Sequence, residues 1–344
     1  MISKHARGSR VVVVTGASAG VGRATARAFA ARGYAVGLVA RGVAGLEAAS
    51  REITDAGGSA VWVAADVSDA AALEAAADEI EAALGPIDVW VNNAMATVLS
   101  PVSEMDCEDY RRVTEVTYLG VVHGTQTALR RMLPRNAGVI VQVGSALAYR
   151  GIPLQSAYCA AKHAIQGFSE SLRCELLHDG REIQVTMVQL PALNTPQFTW
   201  MKNRLPHQPQ PVPPIYQPEL AADAIVWAAE RHPREVNVGA STTMAIWGNK
   251  VIPGRLDHYL ARTAVSGQQT AEPADSTHPG NLWHAADEQR DAGAHGAFDA
   301  VARPQSWQWL AVKHRRQIVA AVSALVALGC AVRFGQYQHE QDRR

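Results

Sequence analysis

The sequence predicts an α/β protein built on a single doubly wound sheet of seven parallel strands. Between residues 10 and 260, short apolar runs rich in valine alternate with longer alanine-rich segments of helical period, which is the pattern of repeated βαβ units. Several of these runs are apolar at every position, as expected for strands that helices cover on both faces. The seven runs that we predict to be strands span residues 11–14, 36–39, 61–64, 89–91, 139–143, 185–190 and 236–239.

The composition excludes several classes of protein. The 344 residues are 48% hydrophobic and 19% charged, which is enough apolar material for a large core and too much for a disordered chain. The 32 basic residues balance the 32 acidic ones, so no nucleic-acid partner is expected. The four cysteines show no CxxC spacing, and no metal site is expected. The amino terminus lacks the long apolar stretch of a secretory signal, so we expect a cytoplasmic protein.

The chain divides into three parts. We predict one α/β domain over residues 8–262. Its proline-rich stretch, 205–218, is expected to be a stiff loop over the carboxyl ends of the strands, and an exposed polyproline ligand is the alternative. Residues 263–305 are rich in Gly, Ala, Gln, Asp and His and are predicted to be a flexible linker. Residues 306–344 are predicted to form a tail with an apolar helix.

The apolar segment of the tail is short for a membrane span. Trp307, Trp309 and the basic residues 313–316 precede the uncharged run 318–332, which as a helix would extend only about 22 Å. Two interpretations are open. Residues 307–333 could attach the protein to the inner face of a membrane through interfacial tryptophans and cations. Alternatively, the helix could pack on the protein or on a neighbouring subunit.

A glycine-rich turn follows the first predicted strand. The turn reads TGASAGVG at residues 15–22, and a helix begins near Arg23. Glycines in such a turn let the backbone approach a pyrophosphate, and the amino terminus of the helix offers unpaired N–H groups to it. Because the strand and the helix that this fingerprint requires are both present, we predict a dinucleotide site. Its predicted contacts are Gly16, Ser18, Ala19, Gly20, Val21 and Gly22.

The end of the second predicted strand indicates which dinucleotide binds. An acidic side chain here would accept a hydrogen bond from the 2′-hydroxyl of NAD(H), but the chain has Ala40 and Arg41. A guanidinium can pair with the 2′-phosphate of NADP(H), and no carboxylate at this point of the sequence repels it. We therefore predict that NADP(H) is preferred over NAD(H), with Arg41 as the phosphate ligand.

Three further residues have the spacing of an acid–base site. Tyr158 and Lys162 are four apart on a predicted helix and so share one face, while Ser145 follows the fifth predicted strand. A nearby ammonium group stabilises phenolate, which is expected to lower the pKa of Tyr158 from about 10 toward neutrality. A tyrosine with such a pKa serves as a general acid or base.

Together these motifs resemble the short-chain dehydrogenase/reductase family over residues 8–260, in particular a subgroup of long members with a carboxyl-terminal extension. The shared motifs are TGASAGVG at 15–22, ADV at 65–67, NNA at 92–94, Ser145 and YCAAK at 158–162. The resemblance implies a Rossmann fold in which Tyr158 is the general acid or base, Ser145 binds the substrate oxygen, and Lys162 lowers the tyrosine pKa and holds the nicotinamide ribose. It also implies a homodimer or homotetramer, and cofactor contacts from Asp66, Val67, Asn93, Ala94, Pro191 and Thr195.

Three positions depart from the family pattern. Met95 replaces the glycine of the family's NNAG motif, and Ala192 replaces the glycine that usually follows the proline at 191. Thr117 stands where the family has the helical asparagine of its catalytic tetrad, and we count it as a catalytic candidate. Threonine can serve if that position acts through its main-chain carbonyl and a bound water, whereas the proton relay is weakened if the amide itself is needed.

These features predict an NADP(H)-dependent oxidoreductase that transfers hydride between nicotinamide and a carbonyl or a secondary alcohol. Apolar residues near the predicted site favour a lipophilic substrate, and they are Leu147, Tyr149, Ile152, Pro153, Leu154, Phe198, Trp200 and Met201. The alternative is a catalytically weak protein that senses NADP(H) and uses its tail to reach a membrane or a partner.

Overall fold

The seven predicted strands form one parallel sheet. The computed structural model describes residues 9–275, 280–315, 317–321 and 323. Its strands are β1 (Val11–Thr15), β2 (Ala35–Ala40), β3 (Ser59–Ala64), β4 (Ile87–Asn92), β5 (Val98–Leu99), β6 (Val139–Ser145), β7 (Gln184–Leu190), β8 (Lys202–Asn203), β9 (His207–Pro209), β10 (Glu235–Asn237) and β11 (Gln269–Pro273). The large sheet has the order β10-β7-β6-β4-β1-β2-β3, which confirms the doubly wound α/β fold.

Helices cover this sheet on both faces. The α-helices of the described residues are α1 (Gly20–Ala30), α2 (Val43–Asp55), α3 (Ala70–Leu84), α4 (Cys107–Thr114), α5 (Gly120–Met132), α6 (Ser156–His178), α7 (Gln197–Trp200), α8 (Pro218–Arg231), α9 (Ala240–Val251), α10 (Pro253–Gly267) and α11 (Trp307–Lys313). Val12 and Val14 of β1 pack in one core with α1, α2 and α8, whereas Val11 and Val13 pack in the other with α3, α5 and α6. Since successive strand residues point to opposite faces, the uninterrupted valine run fills both cores.

The strand order reverses beside β1, and this places the predicted motifs together. β2 and β3 lie on one side of β1, and β4, β6, β7 and β10 lie on the other. Ligands of such sheets bind in the crevice at the carboxyl ends of the strands near this reversal. The glycine turn follows β1, residues 92–94 follow or end β4, and Ser145 ends β6, so all three reach the same edge.

The flexible linker predicted for residues 263–305 is wrong for the part that the structure describes. Residues 263–267 complete α10, and β11 pairs antiparallel with β9 of the proline-rich segment. Residues 280–303, which we call the strap, cross the carboxyl edge of the sheet, and Leu282 within them is fully buried. Hydrogen bonds to backbone carbonyl groups of the strap hold it in place, and composition carries no signal of such contacts.

The start of the tail packs on the domain. Trp309 of α11 is 1% exposed, stacks edge-to-face on Trp227 at 5.5 Å between ring centroids, and donates from Nε1 to Asp223 at 2.8 Å. This packing agrees with the second interpretation of the tail for residues 307–313, although Trp307 itself is 86% exposed. Most of the apolar run 318–332 lies outside the described residues. Within the described part of the chain, no helix has both the length and the apolar character that crossing a bilayer requires.

Candidate active site

A cavity of about 430 Å³ at the carboxyl ends of the strands collects most of the predicted site residues. Its lining includes Gly16, Ser18, Ala19, Gly20, Val21, Arg41, Asp66, Val67, Asn93, Ala94, Ser145, Tyr158, Lys162, Pro191 and Thr195. Gly22 and Thr117 are the two candidates outside this lining. Residues that lie far apart in the sequence therefore meet in one cleft, because the carboxyl ends of the parallel strands lie at one edge of the sheet.

The glycine turn has a geometry that only glycine accommodates. Gly16 and Gly20 have φ angles of +66° and +56°, and a Cβ atom on Gly22 would lie 2.0 Å from the carbonyl oxygen of Gly16. Asn93 fixes the turn from β4, since its Nδ2 donates to the carbonyl oxygen of Thr15 at 2.9 Å. The turn leads directly into the amino terminus of α1, so the strand, the turn and the helix of the predicted dinucleotide site are all present.

Ser145, Tyr158 and Lys162 converge in the same cleft. Ser145 ends β6, whereas Tyr158 and Lys162 lie in the first two turns of α6. Ser145 and Tyr158 both line the cavity and their hydroxyl groups interact, and Nζ of Lys162 lies 5.5 Å from the centre of the Tyr158 ring. The Lys162 ammonium donates to the carbonyl oxygen of Val143 at 2.7 Å. The arrangement brings a phenol, a hydroxyl and a cation to one place.

The pKa shifts in this cluster differ from the expected ones. Burial raises the pKa of Tyr158 above its ordinary value, and the interaction with the Ser145 side chain offsets only part of this rise. Burial also lowers the pKa of Lys162 to about 8. The lowered pKa predicted for Tyr158 is therefore not found in this structure, because burial disfavours the charged form of both side chains.

Thr117 lies in a π-helical turn, Glu115–Leu119, between α4 and α5. It is fully buried, and its Oγ1 donates to the carbonyl oxygen of Ala96 at 2.8 Å and accepts from the N–H of Ala96 at 3.0 Å. The side chain thus holds the loop that follows β4, and only its main chain is left for the role predicted from the family tetrad. Met95 in that loop lines the cavity without a positive φ, so the side chain at this position causes no backbone strain.

Arg41 lies in the cavity wall as predicted, but its guanidinium contacts the strap. It donates to the carbonyl oxygen of Leu282 at 3.2 Å and to that of Asn281, and it lies 3.8 Å from a carboxylate oxygen of Asp66. Arg112 of α4 completes this cluster by pairing with Asp66 and donating to Leu282 at 3.1 Å. Although burial opposes ionisation, hydrogen bonds from Arg112 and Ser68 hold the pKa of Asp66 below its ordinary value.

The strap also contacts the glycine turn. The N–H of Gly20 donates to the carbonyl oxygen of Gly293 at 3.1 Å. Arg23, which is 1% exposed, pairs with Asp291 of the strap at 2.8 Å and with Glu52 at 2.9 Å. No local sequence motif indicates the roles of Arg23, Arg112 and the strap. The one sequence signal that could have indicated Arg23 is its position as a charged residue on an otherwise buried helix face.

The expected apolar pocket is present in part. Leu147, Ile152, Phe198 and Trp200 line the cavity, and the proline-rich segment adds residues 210–213 to its wall. Tyr149 instead points to Glu235, whose carboxylate accepts from the tyrosine hydroxyl at 2.8 Å. Pro153, Leu154 and Met201 also lie outside the lining. The prediction that the proline-rich segment lies over the carboxyl ends of the strands is confirmed.

Comparison with protein families decides the classification. The model of the short chain dehydrogenase family matches residues 10–204, which is more than half of the chain. The chain belongs to the short-chain dehydrogenase/reductase family. It is an oxidoreductase that depends on a nicotinamide dinucleotide, as the family and the names of its relatives indicate.

Relatives of this short-chain dehydrogenase/reductase cover its length to different extents. Uncharacterized oxidoreductase YxnA of Bacillus subtilis is 30% identical over 94% of this chain and 91% of its own. Fatty acyl-CoA reductase of Acinetobacter baylyi is 32% identical over 76% of this chain and 88% of its own. A crystal structure of a metagenomic short-chain oxidoreductase in complex with NADP has 28% identity and a TM-score of 0.56, covering 67% of this chain and 96% of that one.

Proposed function

We propose that this short-chain dehydrogenase/reductase transfers hydride between NADP(H) and a lipophilic carbonyl compound or secondary alcohol, with Tyr158 as the general acid or base. The observation that carries the proposal is the presence of Ser145 and Tyr158, whose hydroxyl groups interact, in the cavity that the glycine turn also lines. A proton-transferring hydroxyl and a dinucleotide turn within one cavity are the two components that this reaction requires.

Each residue of the cluster has a role that its surroundings support. When bound, the nicotinamide supplies or accepts the hydride at the substrate carbon. Tyr158, which burial keeps protonated, donates its hydroxyl proton to the substrate oxygen in carbonyl reduction. Ser145 donates a hydrogen bond to that oxygen and stabilises the charge that develops there. Lys162 places a buried cation near the tyrosine ring, where it stabilises the phenolate that accepts the substrate proton in alcohol oxidation.

Two observations support NADP(H) as the dinucleotide. Arg41 lies in the cavity wall next to the end of β2, where a 2′-phosphate would need a cation. The metagenomic short-chain oxidoreductase whose structure is similar was crystallised with NADP. The strap carbonyl oxygens that Arg41 now contacts are neutral acceptors, and a phosphate is a stronger acceptor for a guanidinium.

A lipophilic substrate is supported by the cavity and by one relative. Leu147, Ile152, Phe198 and Trp200 line the same cavity as Tyr158. The relative from Acinetobacter baylyi is a fatty acyl-CoA reductase, whose substrate carries a long apolar chain. We include a homodimer or homotetramer in the proposal from the family resemblance, to be checked by sedimentation of the full chain.

The test is NADPH oxidation against a panel of ketones and aldehydes, with wild type, Tyr158→Phe and Tyr149→Phe. We expect Tyr158→Phe to lose about three orders of magnitude in turnover and to keep its affinity for NADPH, because only proton transfer is removed. Tyr149→Phe removes a hydroxyl that faces Glu235 and should retain turnover. Most of the activity remaining in Tyr158→Phe would refute the assignment. Wild type that binds NADPH but turns over no substrate would favour the sensing function.

A further inference from the structure

The strap places one buried carboxylate against the dinucleotide cleft. Asp287 is 6% exposed and lines the cavity, and its Oδ2 has no hydrogen-bond partner among the residues that the structure describes. Its backbone carbonyl accepts from the N–H of Gly45 at 3.2 Å, which fixes the residue at the first turn of α2. Burying a carboxylate oxygen without a donor is costly, so such a group at a cleft indicates that a ligand supplies the donor.

Two glycines make room for this carboxylate. A Cβ atom on Gly42 would lie 1.9 Å from Oδ1 of Asp287, and one on Gly45 would lie 2.5 Å from Oδ2. Gly42 is the second residue after β2, which ends at Ala40. The carboxylate therefore lies at the end of β2 in space, although it belongs to a residue near the other end of the chain. The amino terminus of α2 adds a favourable field for a negative charge there.

We propose that Asp287 is a specificity-determining residue for the dinucleotide, an inference that rests on the proposed function. In sheets of this type, an acid after the second strand accepts a hydrogen bond from the ribose 2′-hydroxyl of NAD(H). The chain has Ala40 and Arg41 at that point of the sequence, and the strap supplies the missing carboxylate from elsewhere. Asp287 accepts from the 2′-hydroxyl of NAD(H) and repels the 2′-phosphate of NADP(H).

The contacts between the strap and Arg41 also weaken the preference for NADP(H). The Arg41 guanidinium donates to the carbonyl oxygens of Asn281 and Leu282, and a 2′-phosphate has to replace both acceptors. That phosphate also brings close to two negative charges next to the carboxylate of Asp287. Arg41 and Asp287 thus have opposite effects on the same ligand. The wild-type protein therefore prefers NADP(H) over NAD(H) less strongly than it would with Arg41 present and the carboxylate of Asp287 absent.

The test is the affinity of the purified full-length protein for NADP⁺ and for NAD⁺, measured separately by isothermal titration calorimetry without substrate. Asp287→Asn keeps the size and the backbone bonds of the residue and removes its charge. We expect the Kd for NADP⁺ to fall about tenfold, because a charge repulsion is removed at short range. The Kd for NAD⁺ should rise about threefold, since an amide is a weaker acceptor than a carboxylate.

Glu288→Gln is the matched control. Glu288 is the next residue of the strap, is exposed and lies outside the cavity lining, so the ratio of the two Kd values should change by less than about twofold. An unchanged ratio in Asp287→Asn, or an equal change in Glu288→Gln, overturns the inference. Wild type that binds neither dinucleotide overturns the proposed function as well. Thermal melts verify the fold of each variant, and Asp287→Ser carries the same test if Asp287→Asn does not fold.

Discussion

Replacing Lys162 by methionine should stabilise the protein while abolishing its activity. Lys162 is 3% exposed, and burial lowers its pKa from 10.5 to about 8. Because one pKa unit corresponds to about 1.4 kcal/mol, keeping this charge inside the protein costs roughly 3 kcal/mol of folding free energy. Methionine has a similar length and no charge, so the variant avoids this cost.

The Lys162→Met variant also loses one hydrogen bond. The ammonium donates to the carbonyl oxygen of Val143 at 2.7 Å, and leaving that buried oxygen unpaired costs about 1 to 2 kcal/mol. We therefore expect Lys162→Met to raise the free energy of unfolding by about 1 to 2 kcal/mol at neutral pH. The change in the free energy of unfolding is positive because Lys162 is buried, and a buried cation that is retained for catalysis lowers stability.

The pH dependence distinguishes this explanation from better packing. A lysine with a lowered pKa in the folded state binds its proton more tightly when unfolded, so wild-type stability gains from this group as pH rises between about 8 and 10.5. Below that window the cost is present in full, and above it the cost disappears. The advantage of Lys162→Met should therefore shrink as pH rises through the window.

The assay is urea denaturation without dinucleotide at about pH 7 and about pH 9.5, the second lying inside the titration window. Lys250→Met changes an exposed lysine and should alter stability by less than about 0.5 kcal/mol at either pH. NADPH oxidation by Lys162→Met should be undetectable. A variant that is less stable than wild type at neutral pH, or equally more stable at both pH values, would refute the reasoning.

Two further substitutions test the tail and the glycine turn. Trp309→Ala should lower the free energy of unfolding by about 3 to 4 kcal/mol in thermal or urea denaturation, because it empties a fully buried site. Trp307→Ala, 86% exposed, should change it by less than about 0.5 kcal/mol, and equal effects would contradict the packing of the tail. Gly22→Ala should weaken NADP⁺ binding at least tenfold in calorimetry, since its Cβ would lie 2.0 Å from the Gly16 oxygen. Gly167→Ala, with open space at the Cβ, should bind normally.

Local sequence patterns were sufficient for the sheet and for the position of the cleft. The seven apolar runs predicted all seven strands, because a strand buried on both faces must be apolar at consecutive positions. The glycine turn and the pair Tyr158 and Lys162 were also found, since each depends on spacing within a few residues. Residues at the ends of parallel strands lie at one edge of the sheet whatever the intervening sequence. The position of Ser145 could be predicted for this reason as well.

Local sequence patterns did not predict the surroundings of these residues in the folded protein. The pKa directions of Tyr158 and Lys162 depend on how much protein surrounds them, and spacing in the sequence does not measure burial. The partner of Thr117 is the backbone of Ala96, and a backbone acceptor has no side-chain signature. Charge proximity could be inferred from the sequence, whereas desolvation could not.

The sequence by itself determined the α/β fold, the edge of the sheet where ligands bind, and the serine, tyrosine and lysine of the cleft. Only the tertiary structure decided that a segment with the composition of a linker lines that cleft and brings Asp287 beside Gly42. The physical reason is the range of the interactions. Periodicity and motif spacing encode contacts within a few residues, while the strap is held by carbonyl groups and small residues that meet partners more than two hundred positions away.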